Sequence, residues 1–180
     1  MSPTAVIVID MLNPYDHEDA QLLEASAERA VPPLAGLVGR AGERDDVELI
    51  FVNDNHGDFA ASREAIEERA SKGRRPDLVE PLLPPDGSAF LPKVRHSAFF
   101  GTPLEYLLQQ RGVETVVLTG QVTEQCILYT ALDAYVRHYA IKIPEDCVAH
   151  IHEDLAQAAL HMMRRNMRAE ITTSARCLRR

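Results

Sequence analysis

Long hydrophobic runs are missing from this 180-residue chain. No apolar stretch approaches the roughly 18 residues that a membrane-spanning helix needs. No leader is expected: residues 1–5 carry no basic region, and the apolar run at 5–9 is too short for a signal sequence, so a cytoplasmic protein is expected. Cysteine is scarce, with three copies at positions 126, 147 and 177, which form neither a disulfide framework nor a C-x-x-C zinc pattern. Positive charge is in deficit. The chain has 19 Lys and Arg against 27 Asp and Glu, a formal net charge of −8 that argues against a nucleic-acid partner. The basic residues cluster at Lys72, Arg74 and Arg75 and toward the end at Arg164, Arg165, Arg168, Arg176, Arg179 and Arg180, and read as solvated or partner-facing surface. Internal repeats, low-complexity segments and linkers are also absent.

What is present is an ordinary globular balance, 46% hydrophobic and 26% charged, at a length that suits one domain spanning residues 1–180 with a full core. Residues 5–9 form a continuous β-branched run that ends at Asp10. Continuous rather than alternating apolarity marks a strand buried on both faces, as in a parallel sheet. Residues 48–53 repeat the pattern, followed by 90–93, 115–118, 139–143 and 170–173. Helices are expected at 20–40, where Pro32 and Pro33 are placed to break or restart the element, and at 62–71, with Ser62 as N-cap and Ile66 facing inward. Further helices are expected from Thr102, with Thr as cap and Pro103 in the first turn, then at 124–137 and 154–165. A proline-rich loop covers 80–87. Strands alternating with helices imply an α/β fold with right-handed crossovers and helices on both faces of the sheet.

In such sheets ligands bind beyond the carboxyl ends of the strands. Asp10 ends the first strand. Asn53, Asp54, Asn55 and His56 end the second. Lys93 ends the third, and residues 120–126 join the fourth to its helix. An acid, an amine and a thiol thus converge on one rim. That set suffices for covalent catalysis: the thiolate attacks, the carboxylate moves a proton and the ammonium stabilises the thiolate. Cys126 falls in the first turn of a helix, where the macrodipole lowers a thiol pKa and free N–H groups can hold an oxyanion. Taken singly, each residue has a bland alternative: Asp10 as a cap, Lys93 as surface, Cys126 as a small core thiol. Their joint occurrence at three strand ends favours chemistry.

Four blocks then resemble the isochorismatase-like cysteine hydrolases, a family that includes nicotinamidases and N-carbamoylsarcosine amidase-type enzymes. They are AVIVIDMLNPY, FVNDNHGDF, LPKVRHSAFFGTPLEYLL and VVLTGQVTEQCILYTALDAY. The resemblance covers about residues 4 to 150. It implies a three-layer α/β/α sandwich with a six-stranded, mostly parallel sheet. It also implies an Asp10–Lys93–Cys126 triad acting on a small amide or related C–N bond. A non-prolyl cis peptide is implied at Gln121–Val122, with the N–H groups of Val122 and Cys126 forming an oxyanion hole. A homodimer or homotetramer is implied, with no cofactor.

The departures are informative. Leu12 stands where many members carry Gln. Asp54 and His56 imitate the metal-binding pair of nicotinamidases, but no further histidine follows until His96, and two ligands make a poor metal site. His56 is instead expected to line the pocket mouth. Phe99 and Phe100 are candidates to wall the pocket, with core packing as the alternative. Arg95 is a candidate partner for a substrate carboxylate, or else part of an ion pair. Cys147 and Cys177 resemble no catalytic position. Two rival functions stand beside the amidase reading: hydrolysis of an isochorismate-type vinyl ether, whose enzymes typically lack a cysteine at position 126, and a non-catalytic binding or scaffold role on the same fold. An aspartate-nucleophile phosphatase needs a second Asp two residues after Asp10, where Leu12 sits.

Overall fold

The first strand, β1 (Thr4–Ile9), buries every side chain but Thr4. Its neighbours explain why. The computed structural model, which describes residues 3–179, places β1 between β2 (Val47–Asp54) and β4 (Thr115–Gln121), parallel to both. Arg180 of the basic tail lies outside the described residues. Outward from β2 comes β3 (Ala89–Lys93); outward from β4 come β5 (Ala140–Pro144) and β7 (Glu170–Thr172), and every pairing is parallel. The six-strand path is therefore β3-β2-β1-β4-β5-β7, and the two-residue β6 (Val148–Ala149) pairs with the end of β4. That short strand is an addition to the expected six. Two residues carry too little pattern to be seen in a sequence.

Alternation along β1 sorts its side chains into two cores. Val6 and Val8 pack with Leu23, Leu34 and Leu37 of α1 (Ala20–Gly42), together with residues of α2 (Arg63–Ser71) and α3 (Pro76–Val79). Ala5, Ile7 and Ile9 face the other way, toward α4 (Leu104–Gln110), α5 (Leu128–Val136) and α6 (Glu153–Asn166). Burial on both faces is what a continuous apolar run requires, and it gives the expected α/β/α layering.

Several elements depart from expectation for local reasons. α1 runs unbroken through Pro32 and Pro33. Their missing N–H groups would have met the carbonyls of Glu28 and Arg29, two exposed residues on the solvent side, while Val31, Leu34, Leu37 and Val38 hold the helix to the sheet. Part of the expected proline loop winds into a 3₁₀ turn, Glu80–Leu82. The helix after Thr102 starts one residue late, at Leu104. The Thr102 hydroxyl still accepts the Leu104 N–H at 3.2 Å and donates to the Ala98 carbonyl at 2.5 Å.

The strand order reverses at β1: the chain runs outward through β2 and β3, then returns to build β4 on β1's other side. The crevice at the carboxyl ends of β1 and β4 is the switch point where such folds bind ligands. Close packing there depends on Gly120. It sits at φ 106° opposite Ile9, and any Cβ would overlap the Ile9 carbonyl.

Candidate active site

Asp10 leaves β1 in a left-handed conformation, φ 57°, which Asp tolerates better than most side chains. Three bonds fix it. Its N–H donates to the Val52 carbonyl at 3.0 Å, its Oδ1 accepts the Asp54 N–H at 2.8 Å, and its carbonyl accepts from Gln121 Nε2 at 2.8 Å. The remaining oxygen, Oδ2, meets Lys93 Nζ at 2.8 Å. Lys93 closes β3 and is only 1% exposed. A buried ammonium survives only with close partners. Here it has three: Asp10, Asp54 at 3.7 Å and the sulfur of Cys126 at 3.8 Å.

Cys126 lies in a π-helical turn, Thr123–Ile127, rather than in the expected α-helix; the α-helical part begins at Leu128. The Ile127 N–H reaches back five residues to the Val122 carbonyl, 3.1 Å. Flanking contacts pin the widened turn. The Thr123 hydroxyl donates to the Ala149 carbonyl at 2.8 Å, and Glu124 Oε1 accepts the N–H groups of Ile151 and His152 at 2.9 and 2.8 Å. Single π turns inside helices are frequent at functional sites. The peptide before the turn, Gln121–Val122, is cis.

Charge is balanced tightly among the three groups. Burial pushes the Cys126 thiol up to about 12, and the charge of Asp10 adds to the rise, while Lys93 and the Val122 N–H oppose it. Burial likewise lifts Asp10 above the ordinary carboxylate range, against the charge and hydrogen bond of Lys93 and a hydrogen bond with Cys126. Burial alone would lower Lys93, but the charges of Asp10, Cys126 and Asp54 outweigh it and hold the ammonium above its usual value. The thiol is thus held in its protonated form, with Asp10 and the Lys93 ammonium both beside it. Any acidification by a helix terminus is overridden by burial and by Asp10.

A cavity of about 230 Å³ opens over the sulfur, between Asp10, Val122 and Cys126 on one side and residues 13–17 with Asp54 and His56 on the other. A larger cavity, about 290 Å³, lies between α1 and α6 but does not reach the sulfur. The loop at 13–17 escaped the sequence reading. Its only signal there was a polar, proline-containing run after the Asp10 strand. Asn53 and Gln121 also prove structural to the site. Asn53 Oδ1 accepts the Leu12 N–H at 2.9 Å and its Nδ2 donates to the Leu12 carbonyl at 3.1 Å, while Gln121 holds the Asp10 carbonyl. Leu12 itself is buried, so its side chain serves the core and its backbone serves the site.

The remaining candidates separate. His56 lines the cavity, its Nε2 3.3 Å from the Leu12 carbonyl. Phe99 is buried in the core, stacked on Tyr139 with the Arg137 guanidinium 4.9 Å from its ring centre, and Phe100 is exposed. Neither lines the cavity, nor does Arg95, which is exposed. His96, which the sequence reading noted only as a distant histidine, brings Nδ1 to 3.9 Å from the Cys126 sulfur and packs on Tyr129. Asp54 and His56 do not fit a metal. Asp54 Oδ1 accepts the His56 N–H at 2.7 Å and Oδ2 faces the Lys93 ammonium; among the described residues no group of three or more potential ligands comes together.

Fold and site together define a class: an α/β/α protein with a thiol, a carboxylate and an ammonium gathered at the switch point of a parallel sheet. The model of the isochorismatase domain matches residues 4–176. This chain belongs to the isochorismatase family and is a hydrolase of that family. It is 34% identical over 169 residues to the uncharacterized isochorismatase family protein YaaI of Bacillus subtilis, covering 94% of this chain and 93% of that protein. A shorter match, 38% over 82 residues, reaches the ureidoacrylate amidohydrolase RutB of an Enterobacter species, covering 46% of this chain and 36% of that one. Among solved structures, an isochorismatase-like hydrolase from Alkaliphilus metalliredigens superposes with TM-score 0.79 at 28% identity, over 97% of this chain and 96% of that chain. The N-carbamoylsarcosine amidase of Thermoplasma acidophilum superposes with TM-score 0.75 at 26% identity, over 98% and 99%. No helix among the described residues is long and apolar enough to cross a membrane.

Proposed function

We propose that this chain hydrolyses a small amide or related C–N bond through a thioester on Cys126. One observation carries the reading: Lys93 Nζ stands 2.8 Å from Asp10 and 3.8 Å from the Cys126 sulfur, so a base, a cation and a nucleophile share one point. Amidase-type names among the relatives and structural neighbours support the choice of bond.

The steps follow from the charge balance. Substrate enters over the sulfur with its carbonyl oxygen toward the N–H groups of Val122 and Cys126. Asp10 takes the thiol proton as sulfur attacks the carbonyl carbon, so the nucleophile is created at the moment of use. Lys93 stays charged throughout and offsets the negative charge as it passes from carboxylate to sulfur to oxygen. Protonated Asp10 then delivers its proton to the leaving nitrogen as the C–N bond breaks. Water, deprotonated by Asp10, attacks the thioester, and the acid departs as the proton returns to sulfur.

The test is a panel of small amides, ureido compounds and lactams scored for amine or ammonia release, with mass spectrometry of quenched reactions. The expected result is turnover by the wild type, an acyl adduct on Cys126, and no turnover by Cys126→Ala. Full activity in Cys126→Ala with loss in Asp10→Asn would transfer the chemistry to acid catalysis by the aspartate and overturn the thioester.

A further inference from the structure

The cavity over Cys126 is short of positive charge. Its walls bring three carboxylates, Asp10, Asp16 and Asp54, and no lysine or arginine among the described lining residues. Lys93 is the nearest cation, and it is already committed. It is 1% exposed and lies 2.8 Å from Asp10 and 3.7 Å from Asp54, so its charge is already divided between two carboxylates. The arginines nearby are also engaged outside: Arg69 meets Asp16 at 3.5 Å with both side chains about half exposed, and Arg74 and Arg75 pair with Glu24. His17 and His56 also line the cavity, and His56 Nε2 lies 3.3 Å from the Leu12 carbonyl.

We infer that this site takes an uncharged or cationic substrate and rejects carboxylates. The inference rests on the hydrolase reading for its chemistry but not for its electrostatics. Three carboxylates share two cations here, Lys93 and Arg69, so a ligand carboxylate meets an excess of one negative charge and no lysine or arginine free to pair it. At about 6 Å and an effective dielectric of about 20 the repulsion is worth roughly a hundredfold in affinity, and solvent at the mouth reduces that to about tenfold. The names ureidoacrylate amidohydrolase and N-carbamoylsarcosine amidase belong to enzymes of carboxylate-bearing substrates. This chain would part from them on charge while keeping the same bond.

Two measurements test it on the full-length protein. In the first, Cys126 is labelled at pH 8.5 with methanethiosulfonates of matched size carrying a trimethylammonium, a neutral or a sulfonate group. Each rate is divided by that of 2-mercaptoethanol, with Cys126→Ala as the background for Cys147 and Cys177. The expected normalised rate for the cationic reagent exceeds that for the anionic one by about tenfold or more, and Asp16→Asn narrows the gap. In the second, kcat/KM is compared for butyramide, its 4-amino derivative and succinamate. The expected order puts both non-anionic amides at least about tenfold above succinamate. Equal or faster labelling by the sulfonate reagent, or preferred turnover of succinamate, overturns the inference while leaving a thioester hydrolase intact. Charge-selective labelling without Cys126-dependent turnover of any amide supports the inference and sinks the hydrolase reading instead.

Discussion

Replacing Lys93 with methionine keeps the side chain's length and removes its charge. The native ammonium is 1% exposed and 2.8 Å from Asp10, so Lys93→Met leaves a carboxylate in a buried site without its cation. Breaking one side of such a pair costs about 3–5 kcal/mol. For a chain of this size 1 kcal/mol moves the melting temperature by about 2–4 °C, so the variant should melt roughly 6–20 °C below wild type at pH 8. The pH dependence is the sharper part. Lys93 is the main influence lowering Asp10 against its burial, so without it the folded-state pKa of Asp10 lies above the wild-type value and above its unfolded value. A carboxyl raised in this way favours the folded state while protonated. That contribution is complete below the unfolded pKa near 3.9 and is lost as pH rises through the folded pKa. The deficit of Lys93→Met should therefore be small near pH 5 and grow toward pH 8. Differential scanning calorimetry of both proteins from pH 5 to 8 reads this directly. A variant within two or so degrees of wild type at pH 8, or a gap that widens on acidification, would refute the account of Lys93 as the cation that keeps Asp10 ionised.

Asp10→Asn should change two readouts in opposite directions. Amide turnover falls by about 10²–10⁴ with the loss of the base, while iodoacetamide labelling of Cys126 at pH 8.5 speeds up by up to about a hundredfold, because the second cause of the raised thiol pKa is gone. Unchanged or slower labelling contradicts the charge balance described. Gly120→Ala should destabilise the protein by more than about 3 kcal/mol in urea unfolding, since the new Cβ meets the Ile9 carbonyl at a φ of 106°; a fold as stable as wild type would mean that β1 and β4 can separate. Glu124→Ala strands the N–H groups of Ile151 and His152 and should cost about 1–3 kcal/mol, with Glu124→Gln, which keeps one acceptor oxygen, recovering most of it. Equal losses in the two variants would assign Glu124's role to its charge.

Much of this arrangement is written in local pattern. The runs at 5–9, 49–52 and 116–118 are apolar at successive positions because both faces of those strands are covered, and that is a property of the strand's own residues. Ser62 shows the same directness. Its hydroxyl accepts the Ala65 N–H at 3.3 Å, a contact three residues away that any reader of the sequence can anticipate. Asp10, Lys93 and Cys126 were visible because each closes or follows a strand, and parallel strands bring their carboxyl ends to one rim. Where the sequence misled, the deciding contact was distant. Pro32 and Pro33 looked like a break because the residues that hold α1 to the sheet are not proline's neighbours in the chain. Phe99 offered an aromatic wall for the pocket, but Tyr139 and Arg137, some 40 residues on, draw it into the core.

By itself, then, the sequence determined the layered parallel fold and the three chemical groups at its rim, because those depend on periodicity and on residue types at strand ends; the family came from the resemblance of four blocks. Only the tertiary structure decided the direction in which the pKa of each of those groups moves, the π turn under Cys126, the part of residues 13–17 in the cavity, and the placement of Arg95 and Phe100 outside it. A pKa is set by everything within a few ångströms, and a cavity's charge by whichever loops happen to close over it. Lys93 and Asp10 are 83 residues apart in the chain, and neither carries any local sign that the other stands 2.8 Å away.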